Sequence, residues 1–258
     1  MSEDKRRDRK PDYRKRDSFR RQNGPGQGAS GRPPYRNQGE RNRKPVEPEG
    51  IASRRAALTV IREVTEQGRW ASLSLNGALT KSGLNLQDRR LATRLAYDTI
   101  SHLIWLDWVL DQLIAKPDTD IRLRNVLRLG ACQLLLEDGI PEFAACNTSV
   151  NLCKEIGLEG LAGVCNGILR NLTRKKEELI WPDQDLEPLK ARSVKYSVPE
   201  WLVQRLDADW GQACTDTLLA GNFQEHITVR PNLLRLDDEG FEALLNRKAW
   251  RWEKGKVP

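Results

Sequence analysis

Five cysteines (Cys132, Cys146, Cys153, Cys165, Cys214) and two histidines (His102, His226) are the residues of this 258-residue chain best suited to nucleophilic or metal chemistry. Their spacing does not favour either. The cysteines are odd in number and form no Cys-x-x-Cys pair, and four of them lie in strongly apolar helical patterns, where a free thiol packs as a small hydrophobe. With only two histidines to help, a zinc site has too few ligands. The pattern reads as buried, reduced thiols in a cytoplasmic protein, with no metal and no catalytic residue.

The remaining chemistry is cationic. The candidate RNA contacts in the folded part are Arg54, Arg55, Arg89, Arg90, Arg94, Arg170, Arg174 and Lys175, with Lys176 beside the last. Helical spacing places Arg90 with Arg94, and Arg170 with Arg174, on common faces. A guanidinium offers paired donors in a fixed plane, which suits phosphate oxygens. The alternative for each is an ordinary solvated helix surface, and Glu177 and Glu178 weaken the last cluster. Of the eight tryptophans, Trp70 and Trp250 are the best stacking candidates because they flank polar segments; the others read as core or junction anchors.

The net charge of +7 is unevenly placed. Residues 1–50 carry 15 Lys and Arg against 8 Asp and Glu, while the 28 basic and 28 acidic residues that follow cancel. This first segment has few hydrophobes (Met1, Tyr13, Phe19, Ala29, Tyr35, Val46) and is expected to be disordered, because it cannot bury enough apolar area to offset its ordering entropy. Its Arg and Lys clusters with scattered aromatics suit phosphate contacts and base stacking; a solubilising tail is the alternative. No apolar run approaches the ~20 residues of a membrane span. The longest, near Leu103–Ala115, is interrupted by Asp107 and Asp111.

From Ile51 onward, apolar residues recur with helical spacing. Helices are expected around Ala57–Val64, after Asp88, over Leu103–Leu113, through Val126–Leu135, and near Glu142–Ile156 and Leu161–Lys176. Asp118, Thr119 and Asp120 offer N-caps for the fourth of these. Trp181–Leu189 reads as a linker, and Pro199 opens a helix carrying Trp201, Leu202, Leu206 and Trp210. His226–Arg230 alternates as a strand should; a helix around Asp237–Asn246 and a strand at Trp250–Trp252 follow. The expected division is a basic tail (1–50), a helical RNA-binding domain (51–180), a helical connector (181–224) and the start of an α+β, RRM-like unit that reads as truncated (225–258).

The run from Val126 to Leu136 (VLRLGACQLLL), followed by Ile140–Asn147 (IPEFAACN), resembles the central signature of NusB-type domains. Gly163–Arg170 (GVCNGILR) resembles their later asparagine-containing helix, and Arg54–Ala57 and Asp88–Tyr97 fit two earlier helices. Tyr196–Leu202 (YSVPEWL) and Val229–Asn232 (VRPN) resemble segments of the RsmB/Fmu (Sun) rRNA cytosine-C5 methyltransferases. The resemblance implies a mainly α, NusB-like bundle that positions small-subunit rRNA for methylation by a catalytic domain. That family binds S-adenosylmethionine in a Gly-rich loop and attacks cytosine with a cysteine thiolate. Neither motif is found here, and Ala213-Cys214-Thr215 does not match the nucleophile segment. S-adenosylmethionine is therefore implied for the full-length family and not for this chain. Three functions follow: the RNA-binding portion of such an enzyme, partnered by RNA and a catalytic domain; a stand-alone antitermination factor binding RNA and a ribosomal protein; or an active methyltransferase with an unrecognised donor site.

Overall fold

The computed structural model describes residues 50–116, 118–221 and 228–255. Residues 1–49 of the tail expected over 1–50 lie outside them, as do Pro117, His226 and Ile227. Among the described residues there are eleven α-helices and no strand. In chain order they are α1 (Ile51–Gln67), α2 (Ala71–Ser82), α3 (Leu86–Ser101), α4 (Leu103–Asp111), α5 (Ile121–Leu135), α6 (Glu142–Glu155), α7 (Ala162–Lys175), α8 (Pro188–Tyr196), α9 (Glu200–Trp210), α10 (Gln212–Ala220) and α11 (Asp238–Arg247).

α5 is the central helix. It packs against α1, α3, α4, α6 and α7, and every residue from Asn125 to Gln133 is buried. Asp120 caps its start, its carboxylate accepting the Arg122 backbone N–H at 2.9 Å and so satisfying one of the orphan donors of the first turn. Gly130 lets the neighbouring helices close on α5. A Cβ there would lie 2.7 Å from a Leu169 methyl on α7 and 2.9 Å from Ser149 Oγ on α6.

The acidic residues that interrupt the apolar run of α4 fix that helix to α5. Asp107 accepts from Arg128 at 2.9 and 2.6 Å and from Arg124 at 2.9 Å, and Arg124 also pairs with Asp111. Arg128 is only 8% exposed and donates to Asn125 as well, which in turn reaches Thr65 and Glu66 on α1. A buried charge is tolerated only when paired and hydrogen-bonded in this way.

A second, smaller core of Tyr196, Val198, Val203 and Leu219 unites α8, α9 and α10. It is reinforced by Arg192, which bridges Asp207 and Asp216 at 2.5 and 2.7 Å. Three helices were not individually anticipated: α2, α8 and, within the expected helical connector, α10. α2 has only Ser74, Leu75 and Leu79 buried, too sparse for a clear period. α8 begins at Pro188, which occupies the first turn of a helix instead of continuing a linker.

The strand expected at Trp250–Trp252 does not form, and Thr228–Arg230 is also without ladder pairing. A strand is held by bonds to a neighbour, and among the described residues no paired segment supplies them. The Trp252 indole instead folds back to donate to Asn246 at 2.9 Å. The α11 helix does form, capped by Asp237, whose carboxylate accepts from the Gly240 N–H at 2.8 Å.

Candidate nucleic-acid interface

The basic residues singled out in the sequence fall into two classes by what their side chains touch. Arg54 is 5% exposed. Its guanidinium points inward, donating to Gln133 Oε1 at 2.5 Å and to the Gly50 carbonyl at 3.0 Å. Gly50 is left-handed at φ 73°, and a Cβ there would meet Arg54 Nη1 at 2.5 Å. Burial pulls the pKa of Arg54 down, against the pull of Asp88. This arginine is a tie between α1 and α5, out of reach of a phosphate.

Arg55 lies on the surface but grips Glu155 of α6 through two bonds of 2.7 and 3.0 Å. Arg89 is half-buried and donates to the Leu79 carbonyl at 2.9 Å, satisfying an orphan acceptor at the end of α2. Both hold helices together.

The second class faces solvent. Arg90 is exposed and makes no ion pair among the described residues, and the same holds for Arg170, Arg174 and Lys175 on α7. Arg94 is exposed but sits between two acids, 3.6 Å from Asp98 and 3.0 Å from Glu137. Glu137 is 6% exposed, and the oxygen facing Arg94 has no aligned hydrogen-bond donor. Burial, reinforced by the neighbouring Asp98 carboxyl, pushes the Glu137 pKa up to about 7, against the pull of Arg94.

The α5–α6 connection relates the α3 and α7 cations. Glu137, at its start, meets Arg94 of α3, and Glu142, at its end, lies 3.9 Å from Lys176 just past α7. The two anchors are five residue steps apart along the chain, a span of at most ~18 Å. Arg170 is near enough to Cys146 on α6 for its charge to oppose the rise that burial imposes on that thiol. Phe143, 71% exposed, lies one residue beyond Glu142. An aromatic ring and several cations therefore flank one short connection. The sequence pattern missed Phe143 because it sits within an apolar-looking signature run.

Burial disfavours the thiolate at four of the five cysteines. Burial pushes Cys132 and Cys165 up to about 12 and raises Cys146 and Cys153 as well. Cys214 is exposed. Among the described residues no strand leads into a glycine-rich loop and helix, so the residues present do not fit an S-adenosylmethionine site. No group of His, Cys, Asp and Glu there is placed to hold a metal ion. No described helix is long and apolar enough to cross a membrane.

Trp70 and Trp250 are strongly exposed, at 78% and 63%. A pair not anticipated from sequence lies elsewhere: Trp105 of α4 and Trp181 stack with ring centroids 5.7 Å apart.

Comparison with known proteins matches two segments of the chain. Residues 51–174 match the NusB family, and residues 198–257 match the RsmF/B-like methyltransferase ferredoxin-like domain. The chain is 34% identical over 177 residues to a probable ribosomal RNA small subunit methyltransferase B of Synechocystis sp., covering 66% of this chain and 38% of that protein. It is 28% identical over 195 residues to ribosomal RNA small subunit methyltransferase B of Escherichia fergusonii, covering 75% of this chain and 43% of the relative. The solved structure of PH0851 shares the fold with TM-score 0.56 at 18% identity, over 81% of this chain and 47% of that one. The chain thus spans about two fifths of the length of these curated relatives. The chain therefore carries a NusB domain over 51–174 and an RsmF/B-like ferredoxin-like domain over 198–257, and is similar to proteins named ribosomal RNA small subunit methyltransferase B.

Proposed function

We propose that this chain is the RNA-binding portion of a cytoplasmic rRNA cytosine-C5 methyltransferase of the RsmB type. It positions small-subunit rRNA for a catalytic domain that supplies S-adenosylmethionine chemistry. The carrying observation is that Arg90, Arg170, Arg174 and Lys175 are exposed and have no carboxylate partner among the described residues. Unpaired surface cations suit phosphate binding with release of counterions. The basic residues 1–50 add a second, less selective contact.

The match over 198–257 to a methyltransferase domain favours this reading over a stand-alone antitermination factor, which would pair the same RNA surface with a ribosomal protein. Fluorescence anisotropy with fragments of small-subunit rRNA and with unrelated RNA of equal length tests the proposal. Tighter binding to the rRNA fragments is expected, persisting at reduced affinity after deletion of residues 1–50. Equal binding to both RNAs, or complete loss on deleting the tail, would overturn it.

A further inference from the structure

The α4–α8 junction holds a cleft of about 260 Å³ whose lining includes Trp105, Trp181, Gln184, Val194 and Lys195. Its construction is rigid. The Ile180 carbonyl accepts from Trp108 Nε1 at 2.8 Å and from Gln112 Nε2 at 3.1 Å, and the Ile180 N–H donates to Gln112 Oε1 at 2.9 Å. Ser197, just past α8, accepts the Ile104 backbone N–H at 3.1 Å and so ties the start of α4 to the end of α8. Trp181 is thereby fixed against Trp105, with the ring planes 15° apart, yet 45% of it is exposed. An indole serving only to anchor the junction would be expected to be covered more fully.

Lys195 is the one charged group on the lining; it is exposed, lies 5.1 Å over the Tyr196 ring and makes no ion pair among the described residues. The nearby charges are already engaged. Lys190 lies 4.9 Å over the Trp108 ring and pairs with Glu187 at 2.9 Å. The Asp183 carboxylate accepts the backbone N–H groups of Asp185 and Leu186. The cleft therefore presents a flat aromatic face beside one cation that has no carboxylate partner among the described residues, and that pairing complements a planar group carrying an anion.

We propose that this cleft is a stacking subsite for single-stranded RNA, in which a nucleobase lies on the exposed part of the Trp181 indole and a neighbouring phosphate meets the Lys195 ammonium. Aromatic platforms beside cations are how sequence-tolerant single-strand binding is achieved. A duplex keeps its base faces stacked and cannot offer one to Trp181. The inference rests on the RNA-binding reading and adds a place and a strand preference to it.

The test uses the full chain with a short single-stranded oligouridylate and an RNA duplex. Trp181→Ala should weaken oligouridylate binding about tenfold and leave duplex binding unchanged, with Trp181→Phe recovering most of the loss. Lys195→Gln should lower the single-strand salt slope by about 0.7. Because Trp181→Ala also removes the stack on Trp105, photocross-linking of a 4-thiouridine oligonucleotide to the unmodified protein is the second readout, expected on the peptide holding Trp181 to Lys195. Unchanged oligouridylate binding by Trp181→Ala, or cross-links confined elsewhere, would overturn the subsite and leave the RNA reading standing. Failure of the parent protein to bind either RNA would overturn both.

Discussion

Arg54 and Arg170 carry the same guanidinium and lie in equally basic-looking contexts, but the first is enclosed against Gln133 and the second faces water. Mutation should separate them. Arg54→Ala leaves Gln133 Oε1 without its donor in the interior and should cost about 1–3 kcal/mol in urea unfolding, with little direct effect on RNA affinity. Arg170→Gln should shift stability by no more than ~0.5 kcal/mol and weaken RNA binding. Glu137 gives a pH signature. Its folded pKa lies above that of an ordinary unfolded carboxylate, near 4.3. The native state therefore holds the proton more tightly, and stability falls as pH rises from there to about 7. Glu137→Gln should remove that decline, so the variant gains on the parent across this window in thermal melts. A constant difference across the window would contradict the assignment. Sequence could not distinguish Arg54 from Arg170, because the distinction is made by partners 79 residues away in the chain.

At the scale of elements, helices with a clean apolar stripe were legible and those without one were not. α1, α3, α5 and α7 bury residues at helical spacing, and the Asp120 cap of α5 was visible as a residue type. α2 and α8 were hidden, the first by its sparse apolar face and the second by a proline that reads as a break. The close approach around Gly130 is likewise invisible until α6 and α7 are in place. Gly130→Ala should destabilise the bundle by about 1–3 kcal/mol, as overpacking does, and denaturant midpoints measure it. Ser197→Ala removes the acceptor that the α4 N–H groups use. It should cost about 0.5–2 kcal/mol, in line with losing a helix cap, and should increase proteolysis at the α4–α8 junction.

For the molecule as a whole, charge and helical period alone lead to a helical RNA-binding chain, and the motif runs around Val126–Asn147 and Tyr196–Leu202 lead to the family. Among the described residues the strands expected at His226–Arg230 and Trp250–Trp252 do not appear, since alternation of residues makes a strand only when a neighbouring strand is present to pair with it. The absence of net charge beyond residue 50 also concealed the interface. Asp107, Asp207 and Asp216 are engaged in networks elsewhere, while Arg90, Arg170, Arg174 and Lys175 make no ion pair among the described residues. The measurement that tests this most directly is the salt dependence of affinity for a small-subunit rRNA fragment, comparing the parent with the combined Arg90→Gln, Arg170→Gln, Arg174→Gln, Lys175→Gln variant. Each phosphate contact removed should lower the slope by roughly 0.7–0.9, with the melting temperature unchanged. Identical slopes in the two proteins would contradict the interface.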